Sequence, residues 1–192
     1  MALVALSITS LTCGSASATE PGGAVSVYVG RYTQDTLLQV VTETFDLNFD
    51  DRDYVGVVAV SSVLKNPTTS RSWELEAQFG KHFNGQSHAE INLAVFHRWR
   101  RFPWNHGVRT TMAIGSGLSY AFEDPPFEAA NPSNDGTTRL QLYLGLEVTL
   151  APPAWERFSF LLRIHHRSTV VGLFGDVDSG SNYLSLGGRY QY

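Results

Sequence analysis

Apolar and polar residues alternate along most of the chain from residue 25 onward. The pattern is clearest in residues 138–150, where leucines such as Leu140 and Leu142 alternate with polar residues such as Gln141 and Glu147. Because successive side chains of a β-strand point to opposite faces, a period of two predicts strands with one apolar and one polar face.

Eight long strands are predicted in this way, at about 37–49, 53–64, 72–82, 87–99, 107–122, 138–150, 158–169 and 181–192. A shorter apolar segment, 25–32, either extends the first strand through a kink at 33–36 or lies at the rim. No internal repeat, second domain or helical periodicity is visible, and 192 residues suit one domain. The prediction is an all-β fold of eight antiparallel strands closed into a barrel.

Two barrels fit this alternation. A soluble, lipid-carrying barrel of the lipocalin kind hides its apolar face inside, whereas a membrane barrel turns that face to lipid. With the N-terminus in the periplasm, the two longest connections, 123–137 and 170–180, lie outside, as in outer-membrane barrels. The connections near 50–52 and 83–86 also fall outside but are short, so this rule is followed in part.

Aromatic residues near the turns mark the expected membrane interfaces: Tyr54, Trp99, Phe102, Trp104 and Trp155. The chain also ends in an alternating strand that closes on Tyr192, which resembles the C-terminal assembly signal of bacterial outer-membrane barrels. Together these features favour an eight-stranded antiparallel transmembrane β-barrel in the bacterial outer membrane.

Charged residues on the second face of the strands predict a filled polar interior. Eight strands enclose room for side chains rather than a water channel. Because unpaired buried charge is costly, the acidic residues are expected to pair with arginines across the lumen: Glu74, Glu76, Glu90 and Glu147 with Arg139, Arg163 and Arg189.

The N-terminus and the overall charge limit the other possibilities. Residues 1–18 resemble a signal peptide ending in Ala16-Ser17-Ala18, although no Lys or Arg stands at the start, and the barrel would then occupy 19–192. The alternative is an accidental resemblance. The single cysteine, Cys13, lies in this segment, and a net charge of −4 without a basic run does not indicate nucleic-acid binding.

The polar residues that fall on the lipid-facing side near the external rim are the candidate chemistry. In residues 158–169 the apolar face ends in His166 and Ser168, and Asn182 lies on the same face of the next strand. Polar groups facing lipid are expensive unless they are hydrogen-bonded or used.

His166-Arg167-Ser168 on the penultimate strand, followed by a glycine-rich loop and the last strand, resembles the PagL-like lipid A 3-O-deacylase family, most clearly over residues 158–192. The resemblance implies a barrel with a serine, a histidine and a glutamate on its lipid-facing outside. It implies hydrolysis of the acyl ester at position 3 of lipid A, with no cofactor and no metal. Ser168 is then the nucleophile and His166 the general base.

The chain departs from the family's pattern at two positions. Asn182 stands where the family has its glutamate, and Thr169 stands where an asparagine supports the oxyanion. Asn182 can still orient an imidazole, and a loop carboxylate, Asp176 or Asp178, is an alternative. Backbone amides of the loop glycines Gly172 and Gly175 are candidate oxyanion donors.

A non-catalytic barrel with a structural or partner-binding role is the alternative function, in which His166 and Ser168 bind lipid headgroups. In either case the expected partners are the membrane and lipid A or another outer-leaflet lipid, and a protein partner or homo-oligomer stays open. His165 is expected to face the lumen. The other histidines show no recurring ligand spacing of the kind that indicates a metal site: His82, His88, His97 and His106.

Overall fold

The computed structural model describes residues 22–43, 46–170, 173–174 and 176–192. Its eight antiparallel strands form a closed barrel in which each strand pairs with the next and β1 pairs with β8. The strands are β1 Gly23–Thr33, β2 Phe49–Thr68, β3 Arg71–Asn84, β4 Ala89–Trp99, β5 Arg109–Ala121, β6 Leu140–Ala151, β7 Phe158–Ser168 and β8 Gly180–Gln191. The predicted fold is confirmed, while the predicted signal peptide and Cys13 lie outside the described residues.

The predicted first strand at 37–49 is wrong. The short apolar segment is itself β1, and a helix follows it, α1 (Leu37–Thr42). A capping box starts this helix: the Gln39 amide donates to Thr36 Oγ1, and the Thr36 amide donates to Gln39 Oε1 at 3.0 Å. Such reciprocal hydrogen bonds satisfy backbone N–H groups at the helix start that would otherwise lack partners. Apolar–polar alternation does not show these bonds, so the sequence pattern did not predict the helix.

A second short helix, α2 (Pro126–Ala130), lies in the connection between β5 and β6 and was also not predicted. Proline at its first position lacks the amide proton that would be unsatisfied there, so it suits a helix start. Among the described residues, no helix is long and apolar enough to span a membrane.

The barrel turns its apolar face outward. Leu140 and Leu162 are 42% and 38% exposed, whereas Glu74 and Arg163 are almost completely buried. This is the orientation of a membrane barrel, because a soluble barrel would enclose the leucines and leave the charges in water.

Among the described residues, four buried arginines fill the interior and pair with its carboxylates. Arg163 bridges Glu76, at 2.6 Å, and Glu147. The lumen arginines Arg98, Arg167 and Arg189 complete the network with the carboxylates of Glu74, Glu90, Glu128 and Glu147. Pairing of this kind is what buried charge requires, so the prediction of a filled polar interior is confirmed.

The predicted lumen position of Arg139 is wrong. This residue precedes β6, so its side chain stands at the external rim and pairs with Asp124 at 2.8 Å, with both side chains largely exposed. Arg98, within the predicted strand 87–99, lies near the end of β4 and points inward.

The two ends of the barrel differ in the length of their connections. The termini share one end with the connections 69–70, 100–108 and 152–157. The other end carries 34–48, 85–88, 122–139 and 169–179. Long connections are external in outer-membrane barrels, so the second end faces outward. The short external turn predicted near 50–52 is replaced by 34–48, which contains α1.

Candidate functional site

Strand β7 carries His166 and Ser168 to the external end on the outward face of the barrel. In the β7–β8 register His166 lies opposite Asn182, and Ser168 lies opposite Gly180. The intervening Arg167 points inward and is fully buried. The alternation of the strand therefore separates a lumen arginine from the two outward polar residues.

His166 and Asn182 are joined by a hydrogen bond of 2.8 Å between Nδ1 and Oδ1. The Asn182 amide nitrogen donates to the backbone carbonyl of Asp35 at 2.8 Å. Because only the NH2 group can donate to that carbonyl, Asn182 Oδ1 must face the imidazole. Oδ1 is an acceptor, so the proton of this hydrogen bond must be on His166 Nδ1. His166 Nε2 then keeps its lone pair, and this is the tautomer that a general base needs.

Ser168 is close in sequence to His166 but is not joined to it in the described part of the chain. Its Oγ accepts a hydrogen bond from the Val170 amide at 3.1 Å, which leaves the hydroxyl proton free to turn. A Cβ atom at Gly180 would lie 2.8 Å from the Arg167 carbonyl oxygen and 3.7 Å from His166 Cε1. Glycine therefore allows the backbones of β7 and β8 to approach closely opposite Ser168.

The residues after Ser168 fix the direction of the loop. Val170 has φ 51°, a left-handed conformation that is strained for a β-branched residue. Thr169 points inward and is fully buried, and its Oγ1 accepts from the Ser179 amide at 2.9 Å. Thr169 thus closes the base of the loop and does not face the outward site.

Asp35 supports the site from the β1–β2 connection, and sequence reasoning missed it. Its carboxylate accepts hydrogen bonds from Thr33 Oγ1 at 2.5 Å, from the Asn48 amide at 2.6 Å and from Asn48 Nδ2 at 2.8 Å. These contacts hold the Asp35 carbonyl against Asn182. Burial raises the pKa of Asp35, but the hydrogen bonds from Thr33 and Asn48 outweigh it and lower the pKa below its usual value.

The hydrogen bonds by which the Asp35 carboxylate stabilises the β1–β2 connection are expected to be lost only in acid. Because its pKa in the folded state lies below the ordinary value of about 3.9, its stabilising effect is present above that pH and is lost as the pH falls through the lowered pKa. Hydrogen exchange of the Asn48 amide should keep its protection factor from pH 7 to pH ~4 and lose it below. In Asp35→Asn this loss of protection below pH ~4 should be absent. A loss of protection near neutral pH in the unmodified chain would contradict the role given to the Asp35 carboxylate.

The other predicted site residues are not brought to His166. Asp176 and Asp178 are exposed, and within the described ranges neither carboxylate contacts His166 or Ser168. Gly172 and Gly175 lie outside the described residues. His165 faces the lumen, with its Nε2 2.7 Å from Glu90 Oε1.

Exposed apolar side chains lie in the two connections next to the site at the external end. In α1, which packs against β8, Leu38 is 71% exposed and Val41 is 50% exposed. In the β7–β8 connection, Leu173 is 74% exposed, three residues after Val170. A hydrocarbon chain is the natural neighbour of such a surface next to polar groups.

Three solved structures of outer-membrane barrels share this fold. The outer membrane enzyme PagL is 13% identical, with a TM-score of 0.58 over 87% of this chain and 98% of that one. Neisserial surface protein A is 11% identical, with a TM-score of 0.53 over 89% and 97%. The N-terminal β-barrel domain of Pseudomonas aeruginosa OprF is 12% identical, with a TM-score of 0.51 over 90% and 98%.

No protein-family model matches the chain, and no curated protein matches it in sequence. At these identities the likeness is one of fold. With its apolar exterior and charged lumen, the chain is a β-barrel of the bacterial outer membrane, as the sequence predicted.

Proposed function

We propose that this protein is an esterase of the outer membrane. It removes an ester-linked acyl chain from lipid A, and the reaction takes place on the lipid-facing surface of the barrel near its external rim. The observation that carries this proposal is the chain of hydrogen bonds from Asp35 through Asn182 to His166. It leaves His166 Nε2 as an acceptor on the same outward face as Ser168, two residues away. The fold shared with PagL, whose family the His166-Arg167-Ser168 triplet resembles, agrees with this function but does not by itself require it.

In the proposed reaction Ser168 is the nucleophile and His166 the general base. The hydroxyl turns its proton to His166 Nε2 as Oγ attacks the acyl carbonyl. The ester bond to the lipid then breaks, and the sugar hydroxyl leaves with the proton from His166. Water next attacks the acyl-enzyme with the same base, which releases the fatty acid and restores Ser168.

The Val170 amide is the proposed oxyanion donor. In the structure it donates to Ser168 Oγ at 3.1 Å, and the left-handed backbone at Val170 fixes its direction. As Oγ attacks, the donor passes from Oγ to the adjacent carbonyl oxygen, where an amide N–H stabilises the developing charge. The exposed apolar side chains around it supply a surface for the acyl chain.

Asn182 is a positioning residue in this reaction. A neutral amide orients the imidazole but does not neutralise the imidazolium that forms, so we expect slower turnover than in a triad with a carboxylate. Asn182→Leu, which keeps the volume and removes the hydrogen bond, is expected to lower kcat by roughly 10²-fold with little change in KM. The pH dependence of kcat should also shift, because the imidazole loses the acceptor that selects its tautomer.

The test is a mass spectrum of lipid A after incubation with the purified, folded barrel in detergent. Loss of one acyl group is expected, and phospholipid offered in parallel shows whether another outer-leaflet lipid is the substrate. Unchanged lipid A and phospholipid, with the barrel folded as judged by heat-modifiable migration on a gel, would refute the esterase proposal.

A non-catalytic barrel is the second candidate, and one observation favours it. Within the part of the chain that the structure describes, Ser168 makes no hydrogen bond to His166, and no carboxylate contacts the imidazole. In that function His166, Ser168 and Asn182 bind lipid headgroups without cutting them. Vesicles with labelled lipid A would then bind the barrel while the acyl content of the lipid stays constant.

A further inference from the structure

Three buried side chains with metal-ligating groups meet inside the barrel at the external end of the β3–β4 hairpin. His82 lies near the end of β3, His88 lies in the connection 85–88, and Glu90 is the second residue of β4. Each is at most 2% exposed, and their ligating atoms lie within 4.8 Å of one another. The two imidazole rings stack with centroids 3.9 Å apart and an interplanar angle of 16°.

Both ring nitrogens of His88 lack hydrogen-bond partners within the described residues. The neighbouring His82 Nε2 and Glu90 Oε2 atoms lie 3.4 Å from each other, and Arg167 Nε lies 3.6 Å from the same carboxylate oxygen. Leaving buried polar atoms unsatisfied is costly, so a buried imidazole with neither nitrogen bonded points to a missing partner.

One tautomer of His82 presents a lone pair to a cation at this place. Tyr183 donates its hydroxyl proton to Asp53 Oδ2 at 2.5 Å, and His82 Nδ1 lies 3.2 Å from the same hydroxyl oxygen and 3.4 Å from Gln86 Nε2. With the proton on Nδ1 and directed to Tyr183, Nε2 keeps a lone pair that faces Glu90 Oε2 at 3.4 Å. Two acceptors then face each other, as ligands do around a bound cation.

The charges around the cluster also favour a cation. Three buried carboxylates, Asp53, Glu90 and Glu128, lie in one connected set, and among the described residues Arg167 is the guanidinium that contacts two of them. His165 approaches Glu90 from the opposite side at 2.7 Å. With His82 and His165 neutral, the three carboxylates carry more negative charge than Arg167 balances in this part of the lumen.

We propose that His82, His88 and Glu90 bind a divalent transition-metal ion of the zinc class. Two imidazole nitrogens and one carboxylate oxygen are a common zinc ligand set, and neighbouring ligands of a tetrahedral ion with bonds of about 2.0–2.1 Å stand roughly 3.4 Å apart. The separation of His82 Nε2 and Glu90 Oε2 has that value. Coordination requires the stacked rings to tilt so that both lone pairs converge.

Asp53 and Tyr183 orient His82 for the ion from the far side of its ring. A ligating histidine usually donates its other N–H to a carboxylate or another polar group, which fixes the ring. The bound ion joins β3, the connection 85–88 and β4, so it clamps the external mouth of the lumen. This role is independent of the outward-facing esterase site.

The test uses the folded barrel in detergent, freed of metal by a chelator and then titrated with Zn²⁺ or Co²⁺. One Zn²⁺ per chain is expected, together with the visible absorption of tetrahedral Co²⁺. His88→Phe keeps the ring stack but removes both nitrogens, and it should weaken Zn²⁺ binding at least ~100-fold. His106→Phe, at an exposed histidine of a periplasmic turn, matches it in composition and should bind as the unmodified chain does.

Absence of Zn²⁺ binding by the folded, unmodified barrel would overturn the proposal, as would unchanged binding by His88→Phe. X-ray absorption spectroscopy of the zinc-loaded unmodified chain identifies the zinc ligands without any variant. Coordination by two imidazoles and by oxygen supports the site, and coordination without histidine refutes it.

Discussion

Replacing Ser168 with alanine is expected to abolish removal of the acyl chain from lipid A. The substitution takes away the oxygen that forms the acyl-enzyme, and the rate should fall at least about 10³-fold. His166→Ala should lower it to a similar extent, because without a base the hydroxyl is a weak nucleophile. Since the two residues act as a unit, the double variant should be no slower than either single variant.

Matched controls are available on the same outer surface. Ser116→Ala removes an outward-facing serine of β5, and His97→Ala removes a histidine of β4 whose ring contacts Trp73 and Trp99. Both should keep full activity. Mass spectra of lipid A give the acyl content, and heat-modifiable migration shows that each variant is folded. Acyl loss that persists in Ser168→Ala would remove this residue from the mechanism.

Alternation along the chain predicted the barrel, and the lengths of the connections and the aromatic residues near the turns indicated which face is outside. Leu162 and Arg163 are neighbours in sequence, and the structure places one outside and the other in the lumen. The alternation is local, so it does not show where a strand stops. Arg139 continues the pattern of β6 but precedes its first residue, and this is why its predicted lumen position is wrong.

The sequence predicted only the part of the candidate site that lies on β7 and β8. His166, Ser168 and Asn182 follow from the alternation of β7 and β8. Asp35 lies 147 residues from Asn182 in the chain, and it meets the amide through a backbone carbonyl, for which no residue type is diagnostic. The same limit hid the cluster at the β3–β4 hairpin, because the connection 85–88 folds His88 inward against His82.

Removing the central arginine of the lumen is expected to have the largest effect on stability. Arg163 is fully buried and donates to Glu76 and Glu147, so Arg163→Met leaves buried carboxylates with fewer partners. Breaking a buried pair costs about 3–5 kcal/mol. We expect about 3 kcal/mol, the lower limit of that range, because Arg98 still pairs with Glu147 at 2.7 Å.

Arg139→Met is the matched control, since its ion pair with Asp124 is exposed to solvent at the rim. Exposed pairs of this kind add little, so its urea midpoint should equal that of the unmodified barrel. Adding Glu76→Gln to Arg163→Met should recover part of the loss, because the amide in place of Glu76 carries no unpaired charge. If Arg163→Met unfolds at the same urea concentration as Arg139→Met, the lumen charges are compensated by water or ions and not by one another.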